Sequence, residues 1–248
     1  MTRRLLHYLG MLIGWIELAV FTIFLYLLSY IPQAWHSTGY RRLFRWWSRV
    51  WVSALGVDLR LHQHNRSSLP DHYLMIANHP SAFEDIGIPA LFDVDCLAKK
   101  EVRDWFMVGR ISDAAQTLYV QRESRDSRQQ AASEIIDALN QGRNIALYPE
   151  GGVKGKRLHD HFRYGAFSIS LQTGVPIVPV FIHYEAIDDF YWAGQSLPLK
   201  IWQIMKARNN RANYHVFDAF NPEDFSDRAA YCEAVYQKYL KWQEKIVD

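Results

Sequence analysis

His79 and the acidic residues that follow it are the side chains in this sequence best suited to chemistry. The segment Asn78–Asp85 reads NHPSAFED and follows an apolar run, Tyr73–Ala77. Pro80 and Ser81 are typical of the start of a helix, because proline fits the first turn and serine caps exposed N–H groups. The spacing predicts an imidazole at a strand-to-helix turn, with a carboxylate one turn further on to orient it. An imidazole held in this way takes a proton from a hydroxyl near neutral pH.

The pattern of residues 57–248, which must position this histidine, predicts an α/β domain. Its mostly parallel central sheet would be flanked by helices. Short apolar runs alternate there with stretches of helical spacing, the pattern of strands joined by helical crossovers. We predict strands at Val57–Leu61, Tyr73–Asn78, Asp95–Ala98, Gln116–Val120, Asn144–Tyr148, Ile177–Tyr184 and Tyr214–Phe217. We predict helices at Ser81–Phe92, Arg103–Val108, Ser127–Gln141, Tyr164–Gln172 and Asp227–Ile246.

Residues 1–56 predict a pair of membrane-associated helices. The first, residues 5–31, is almost continuously apolar and is long enough to cross a bilayer, which takes about 20 residues. The second, residues 38–55, has apolar residues at helical spacing and four arginines largely on the other side. A basic amphipathic helix of this kind lies in the headgroup region of a membrane. The alternative is an ordinary helix that packs its apolar stripe on the domain.

Two features of the first helix favour a hairpin that dips into one leaflet over a single span. Arginines flank the apolar stretch on both sides, and the positive-inside rule keeps both flanks in the cytoplasm. Glu17 lies near the middle, where a charge costs a few kcal/mol. We therefore expect a membrane-associated protein whose catalytic domain faces the cytoplasm, at the inner membrane if the protein is bacterial.

The distribution of charge excludes other classes of partner. Up to Val57 the chain has six arginines and one glutamate, a net charge of +5, so the remainder carries −3 of the total of +2. This asymmetry favours an anionic lipid surface over nucleic acid, since no basic stripe runs through the second part. Cys96 and Cys232 lie far apart, and neither they nor the histidines have the spacing of metal ligands. We expect neither nucleic acid nor metal.

Four segments carry a resemblance to a known family. They are Asn78–Asp85, Thr117–Arg122 (TLYVQR), Leu147–Gly152 (LYPEGG) and Val175–Val180 (VPIVPV), here called blocks one to four. In this order they resemble the motifs of the 1-acylglycerol-3-phosphate acyltransferase (lysophospholipid acyltransferase) family. The motifs of that family are NHxxxxD, an apolar stretch ending in Arg, FPEGTR, and an apolar run containing VPIVPV. The resemblance covers residues 73 to 184.

The resemblance implies that His79 is the general base of a direct acyl transfer. It would draw the proton from an acceptor lipid's hydroxyl, which attacks the thioester carbonyl of an acyl donor. The family's aspartate five residues after the histidine is replaced by Glu84, which is one methylene longer, with Asp85 next. We favour Glu84 as the residue that orients the imidazole, with Asp85 as the alternative. Ser81 is close by, but the sequence contains no G-x-S-x-G nucleophile elbow.

Blocks two and three supply the residues expected to bind substrate. Arg122 ends block two, and the resemblance associates it with the acceptor's phosphate, which a guanidinium pairs through two parallel hydrogen bonds. Lys99, together with the next lysine, resembles a pair that often precedes this block. Glu150 and Gly151 retain the centre of block three.

Block three then departs from the family pattern. Gly152 and Val153 stand where the family has threonine and arginine. A basic stretch follows, with Lys154, Lys156, Arg157, His159, His161 and Arg163. One or more of these cations would replace the arginine. Alternatively, the acceptor is a lysolipid without that phosphate, or the loop is solvated and basic. The departure bears on the acceptor and leaves the acyl transfer as expected.

Taken together, these features predict a membrane-bound O-acyltransferase that acts on a lysolipid. Lysophosphatidic acid is the leading acceptor, giving phosphatidic acid, and a lyso-aminolipid is the alternative. The donor is expected to be an acyl-CoA or acyl-carrier-protein thioester, used as a co-substrate without a cofactor. Less favoured are a thioester or lipid hydrolase, in which the histidine activates water, and a non-catalytic membrane protein of the same fold.

Overall fold

The chain is described by a computed structural model covering residues 2–32, 37–121, 124–153, 155–192 and 194–248, with the backbone alone for residues 2–7 and 37. The strands are β1 (Asp58–Gln63), β2 (Leu74–Ala77), β3 (Asp95–Lys99), β4 (Leu118–Val120), β5 (Ile145–Leu147), β6 (Ile177–Tyr184) and β7 (Arg211–Val216). The α-helices are α1 (Thr2–Leu28), α2 (Ser37–Ala54), α3 (Glu84–Leu91), α4 (Val108–Ala114), α5 (Arg125–Asn140), α6 (Gly165–Thr173), α7 (Ile187–Phe190), α8 (Leu197–Lys206) and α9 (Arg228–Ile246). Short 3₁₀ turns cover Lys100–Asp104 and Pro222–Asp224.

The strands form one sheet in the order β1-β7-β6-β2-β5-β3-β4. Every neighbouring pair is parallel except β6 with β7. The predicted α/β fold, a mostly parallel sheet flanked by helices, is therefore confirmed. β2, the strand that leads into His79, lies at the centre between β5 and β6.

Both faces of the sheet are buried, which explains why the central strands are apolar without alternation. In β2, Leu74 and Ile76 point into one hydrophobic cluster, while Met75 and Ala77 point into the other. Successive side chains of a strand point to opposite faces, so a strand covered on both sides must be apolar throughout. The His79 turn is therefore attached to the most rigid part of the domain.

Helices α1 and α2 pack as an antiparallel pair against the domain. Gly14 of α1 crosses α2 so closely that an added Cβ would lie 2.9 Å from the backbone of Ala54. Further along, Trp47 donates a hydrogen bond to the Thr22 hydroxyl at 2.8 Å. One face of α1 is buried in this contact, and residues 8–28 form a helix long and apolar enough to cross a membrane.

The arginines of α2 face the domain more than the sequence predicts. Arg41 donates to Gln116, Arg45 pairs with Asp93 at 2.6 Å, and Arg49 donates to a backbone carbonyl at the end of α3. The apolar stripe of the helix is buried at Tyr40, Trp47, Val50 and Ala54. The described contacts therefore match the alternative in which α2 packs on the domain.

Two helix predictions were wrong. Residues 103–108 do not form a helix, because the chain leaves a 3₁₀ turn at Asp104 and enters α4 at Val108 through Met107, whose φ is +59°. The helix after His79 begins at Glu84 instead of Ser81. The prediction also omitted α7 and α8, which follow block four in a part of the sequence without a recognisable motif.

Histidines stack at the edge of the sheet formed by β1 and β7. The His215 ring lies parallel to that of His62 at 4.5 Å between centroids and to that of His64 at 5.2 Å. Burial lowers the pKa of His215 to about 4, and the neighbouring His62, His64 and His183 rings act in the same direction.

This stack predicts that the protein loses stability as the pH falls from about 6.5 to about 4. In that interval the unfolded chain binds a proton at His215 and the folded chain does not, so acid favours unfolding. We expect the thermal unfolding midpoint to fall between about pH 7.5 and about pH 5, and to fall less in His215→Asn. His161→Asn, at an exposed histidine outside the stack, should retain the full decrease. Equal decreases in wild type and His215→Asn would contradict the assignment.

Candidate active site

The candidate site lies at the carboxyl ends of neighbouring parallel strands. His79 comes two residues after β2, and Glu150 comes three residues after β5. Tyr184 is the last residue of β6, on the other side of β2. Because the carboxyl ends of parallel strands meet at one edge of a sheet, these side chains converge, as ligand sites in open α/β sheets do.

The His79 ring is paired with Glu84. Nδ1 of His79 lies 2.7 Å from Oε2 of Glu84, and the exposed fractions of the two side chains are 4% and 0%. The predicted pairing of the imidazole with Glu84 is therefore present in the structure. Asp85, the alternative, is exposed on α3 and borders a cavity described below.

A chain of hydroxyl groups completes the surroundings of the Glu84 carboxylate. Tyr184 donates to Oε1 of Glu84 at 2.5 Å, and the Tyr214 hydroxyl lies 3.1 Å from that of Tyr184. The backbone N–H of Ser81 donates to both carboxylate oxygens at 3.1 Å. Burial raises the pKa of Glu84 well above its usual value, while the hydrogen bonds from Tyr184 and Ser81 oppose the increase.

Tyr148 fixes the plane of the imidazole. Its ring stacks on that of His79 with 4.0 Å between centroids and 7° between planes. The electron-rich face of an aromatic ring attracts a cation. The contact therefore holds the imidazole in one plane and places an electron-rich face beside it.

Glu150 anchors the turn that carries His79. Its carboxylate accepts from the backbone N–H of His79 at 2.7 Å and from that of His159 at 2.9 Å. Burial raises the pKa of Glu150, and these two N–H groups oppose the increase. Its described hydrogen bonds are to backbone amides, which indicates that it positions the site. The sequence had predicted contact with substrate.

The basic residues after block three are separated by the fold. Lys156 pairs with Asp188, and Arg157 pairs with Asp248 near the end of the chain. Lys154 lies outside the described residues. Lys156 and Arg157 therefore each pair with a carboxylate of the same chain.

Arg163, the last cation of the basic stretch after block three, lies against that block. Gly151 has φ +77°, and a Cβ there would lie 2.3 Å from Nε of Arg163. The Arg163 backbone N–H also donates to the Pro149 carbonyl at 2.8 Å. A glycine is therefore required at 151, and the exposed Arg163 side chain lies over the turn where the family arginine is missing.

Two further residues were predicted to bind substrate, Lys99 and Arg122. Lys99 is exposed at the end of β3, where it pairs in register with Val120 of β4. Arg122 lies outside the described residues. Within the described part of the chain, no group of three or more His, Cys, Asp or Glu residues is arranged to hold a metal ion.

An apolar cavity of about 260 Å³ begins beside the histidine turn. Ser81, Ala82 and Asp85 line it at that end. From there it runs between α2, α3, β3, α4 and α8, with Trp47 of α2 and Ile204 of α8 among its apolar walls. A long apolar ligand can therefore lie with one end close to the His79–Glu84 pair.

Sequence reasoning did not identify the tyrosines of the site. Tyr184 reaches Glu84 from β6, a hundred residues further along the chain, and Tyr214 of β7 contacts the Tyr184 hydroxyl. One signal was present: Tyr184 is the polar end of the apolar run that starts in block four. Tyr148 belongs to block three and to a predicted strand, but the sequence predicts no role for its side chain.

The fold and the site together define a class: an α/β protein with a buried histidine–carboxylate pair at the carboxyl edge of its sheet, beside an apolar cavity. Residues 60–183, half of the chain, match the family model described as Acyltransferase. The chain belongs to this acyltransferase family.

Similar proteins include two bacterial relatives. The lyso-ornithine lipid O-acyltransferase of Pseudomonas aeruginosa is 31% identical over 145 residues, which cover 58% of this chain and 55% of that protein. The 1-acyl-sn-glycerol-3-phosphate acyltransferase of Neisseria meningitidis serogroup B is 24% identical over 163 residues, 62% of this chain and 64% of that protein. The chain thus spans between half and two thirds of the length of these relatives.

A solved structure shares the fold over almost its whole length. The crystal structure of the 1-acyl-sn-glycerophosphate (LPA) acyltransferase PlsC from Thermotoga maritima superposes with a TM-score of 0.70, covering 98% of this chain and 97% of that one. The two sequences are 18% identical. The similarity therefore extends over the helices before β1 as well as the sheet.

The packing of Tyr214 against α3 predicts that the protein does not tolerate a side chain at Gly87. An added Cβ at Gly87 of α3 would lie 2.2 Å from the Tyr214 hydroxyl, and Tyr214 is fully buried. We expect Gly87→Ala to lower the free energy of unfolding by about 1–3 kcal/mol, measured by denaturant titration. Gly165→Ala is the matched control, because nothing lies within 4 Å of its added Cβ. Equal unfolding midpoints for the two variants would show that Tyr214 is not held as described.

Proposed function

We propose that this protein transfers a fatty acyl group from a thioester to the hydroxyl of a lysolipid, with His79 as general base. The observation that carries the proposal is the buried His79–Glu84 pair at 2.7 Å, located where an apolar cavity begins. Membership of the acyltransferase family supports the same reaction.

In this proposal the two ring nitrogens of His79 have different roles. With Nδ1 of His79 bonded to Glu84, Nε2 is the nitrogen that takes the acceptor's proton. The acceptor oxygen then attacks the thioester carbonyl, the C–O bond forms and the C–S bond breaks. The proton passes from Nε2 to the departing thiolate, so the imidazole returns to its starting state. General base catalysis of this kind contributes about 10²–10⁴-fold.

Two groups stabilise the imidazolium that forms during transfer. The Glu84 carboxylate bears the opposite charge, and the face of Tyr148 lies parallel to the ring. Both act in a buried site, where electrostatic interactions are stronger than in water. Glu150, Tyr184 and Tyr214 are positioning residues, since their described contacts are to the turn or to Glu84.

The acyl chain would occupy the apolar cavity. Each methylene group transferred from water to such a site contributes about 0.8 kcal/mol. The donor would be an acyl-CoA or acyl-carrier-protein thioester, which is a co-substrate, and the reaction needs no further cofactor. The acceptor is a membrane lipid, so we place the enzyme at a membrane with its catalytic domain facing the cytoplasm.

Two observations favour a lyso-aminolipid acceptor over lysophosphatidic acid, which the motifs alone had favoured. The block-three arginine is absent, and Lys156 and Arg157 are paired with Asp188 and Asp248. In addition, the Pseudomonas aeruginosa relative is named for a lyso-ornithine lipid. Arg163 would then bind the anionic group of the acceptor headgroup.

The test is an acyl transfer assay with the purified full chain, an acyl thioester and each lysolipid in turn, with intact-lipid mass spectrometry as the readout. Acylated lyso-aminolipid in excess of phosphatidic acid supports the proposal in full. Phosphatidic acid as the main product would preserve the reaction and change the acceptor. Free fatty acid without an acylated lipid would show a hydrolase instead.

The carboxylate next to His79 gives the sharpest activity prediction. Glu84→Gln keeps the shape of the side chain but removes the charge that holds the tautomer and stabilises the imidazolium. We expect kcat to fall by about 10³–10⁴-fold, as when the carboxylate of a catalytic triad becomes an amide. Asp85→Asn, one residue further on and exposed, should keep kcat within about threefold.

Steady-state kinetics on both variants decide between the two carboxylates. A larger loss in Asp85→Asn than in Glu84→Gln would reverse the assignment. Circular dichroism confirms that each variant is folded, so that a loss of rate is not a loss of structure.

The position of Arg163 predicts a change in acceptor binding. Arg163→Gln should raise KM for the lysolipid by about 10-fold or more with little change in kcat, because a charge-assisted hydrogen bond contributes about 1.5–3 kcal/mol. Arg157→Gln is the matched control, since Arg157 already pairs with Asp248. If KM rises equally in both variants, Arg163 has no particular role in binding the acceptor.

A further inference from the structure

Among the described residues after α2, exposed large hydrophobic side chains cluster at two places, each of which contributes a residue to the cavity wall. One place is the loop of Trp105 and Phe106, and Phe106 is 84% exposed. The other is the outer face of α8 with Leu197, Leu199 and Trp202, and Trp202 is 53% exposed. We call these five residues the membrane rim. Other exposed apolar residues of the domain are scattered singly, which is usual for a protein surface.

Both parts of the membrane rim border the opening of the cavity. Trp105 and Leu197 line the cavity and are also 43% and 39% exposed, so they lie where it reaches the surface. The inner face of α8 contributes Ile201 and Ile204 to the cavity wall, while Leu199 and Trp202 face outward. The exposed apolar residues are thus continuous with the apolar interior.

The loop of Phe106 is tightly folded. Met107 has φ +59°, a conformation that costs a non-glycine residue about 1–3 kcal/mol. Gly109 N–H donates to the Trp105 carbonyl at 2.9 Å, and a Cβ at Gly109 would lie 1.9 Å from the Arg103 carbonyl oxygen. Phe106 is therefore held at the surface by its backbone, where water alone would give it no favourable contact.

Cations flank the membrane rim in the arrangement found at a bilayer interface. Lys206, one turn after Trp202, holds its ammonium 4.5 Å from the centre of that ring. Arg110 lies 3.6 Å from the ring centre of Tyr30, just after α1. Aromatic rings and basic residues gather at the headgroup level of membranes, and the basic groups attract anionic lipid.

The membrane rim also adjoins the apolar helix. The Phe106 ring lies 6.4 Å from that of Tyr26 in α1. On the other side, Trp15 of α1 and Ile201 of α8 pack against the same hydrophobic cluster. A surface that accommodates the exposed face of α1 can therefore contact both parts of the rim.

We propose that the membrane rim inserts into the boundary between headgroups and acyl chains of an anionic bilayer, so that the cavity opens into lipid. The inference rests on the proposed function in that the acceptor and the acyl chain are lipids. A single-chain amphiphile would then enter sideways from the leaflet without crossing water.

The test places a fluorophore at single introduced cysteines, Phe106→Cys or Leu199→Cys, in the full chain. The protein is reconstituted into vesicles of phosphatidylethanolamine and phosphatidylglycerol that carry a nitroxide quencher on the acyl chain. Ile16→Cys in α1 reports on the helix anchor, and Leu61→Cys on β1 is the matched control away from the rim. The unmutated chain, labelled in parallel, corrects for Cys96 and Cys232.

We expect quenching at positions 106, 199 and 16, and none at 61. Quenching at 16 alone would overturn the membrane rim while leaving the anchor. No quenching at any position would overturn both the rim and the membrane placement in the proposed function. Protection of 106 and 199 by a second copy, seen as a dimer in light scattering without quenching, would also overturn the rim.

Activity provides an independent readout. Trp202→Glu should raise the apparent KM for a vesicle-borne acceptor roughly tenfold, the size expected for losing one buried aromatic side chain. The same variant should leave the rate with a short-chain, water-soluble acceptor unchanged, as should Leu61→Glu with either acceptor. An equal loss on both acceptors would mean that Trp202 acts on the fold and not at a membrane.

Discussion

The complete burial of the Glu84 carboxylate is the constraint on which the site depends. A charge in an apolar interior is costly unless several donors surround it. Here the direct donors are the imidazole and the Ser81 amide from the turn after β2 and the Tyr184 hydroxyl from β6, while the Tyr214 hydroxyl of β7 lies 3.1 Å from that of Tyr184. Strands β6 and β7, the start of α3 and the turn after β2 must therefore be in place together. The same burial that makes the pair costly makes it effective toward a developing positive charge.

A second carboxylate fixes the geometry from the other side. Glu150 bridges the backbone of the His79 turn to that of His159. Block three thus acts as a bracket between the turn after β2 and the loop that leads to Arg163. This explains how the centre of block three can be kept while the residues after it change. The bracket needs the glutamate and the glycine, whereas the described contacts do not require a particular cation after them.

The sheet and the histidine pair could be predicted because their determinants are local. β2 is apolar throughout as a doubly buried strand must be, and Glu84 reaches His79 within five residues. The tyrosines could not be predicted in this way, since the contact of Tyr184 with Glu84 and that of Tyr214 with Tyr184 depend on how β6 and β7 pair within the sheet. The helix predicted at 103–108 failed for a different reason. Helical spacing cannot reveal the positive φ of Met107, which separates the 3₁₀ turn from α4.

The arginines of α2 show the limit of reading amphipathicity from sequence. Spacing separates an apolar face from a basic one, but it does not say what each face touches. In the structure the basic face contacts Asp93, Gln116 and the end of α3, so one ion pair and two hydrogen bonds attach the helix to the domain.

The walls of the cavity have a consequence for how the protein can be divided. Phe44, Trp47 and Trp51 of α2 form one side, and α3 and α8 form the other. A chain shortened to begin at β1 would leave that hollow open along its length, with its apolar lining turned to solvent. Helices α1 and α2 and the sheet are thus one packing unit, and truncation before β1 removes a wall of the cavity together with the two helices.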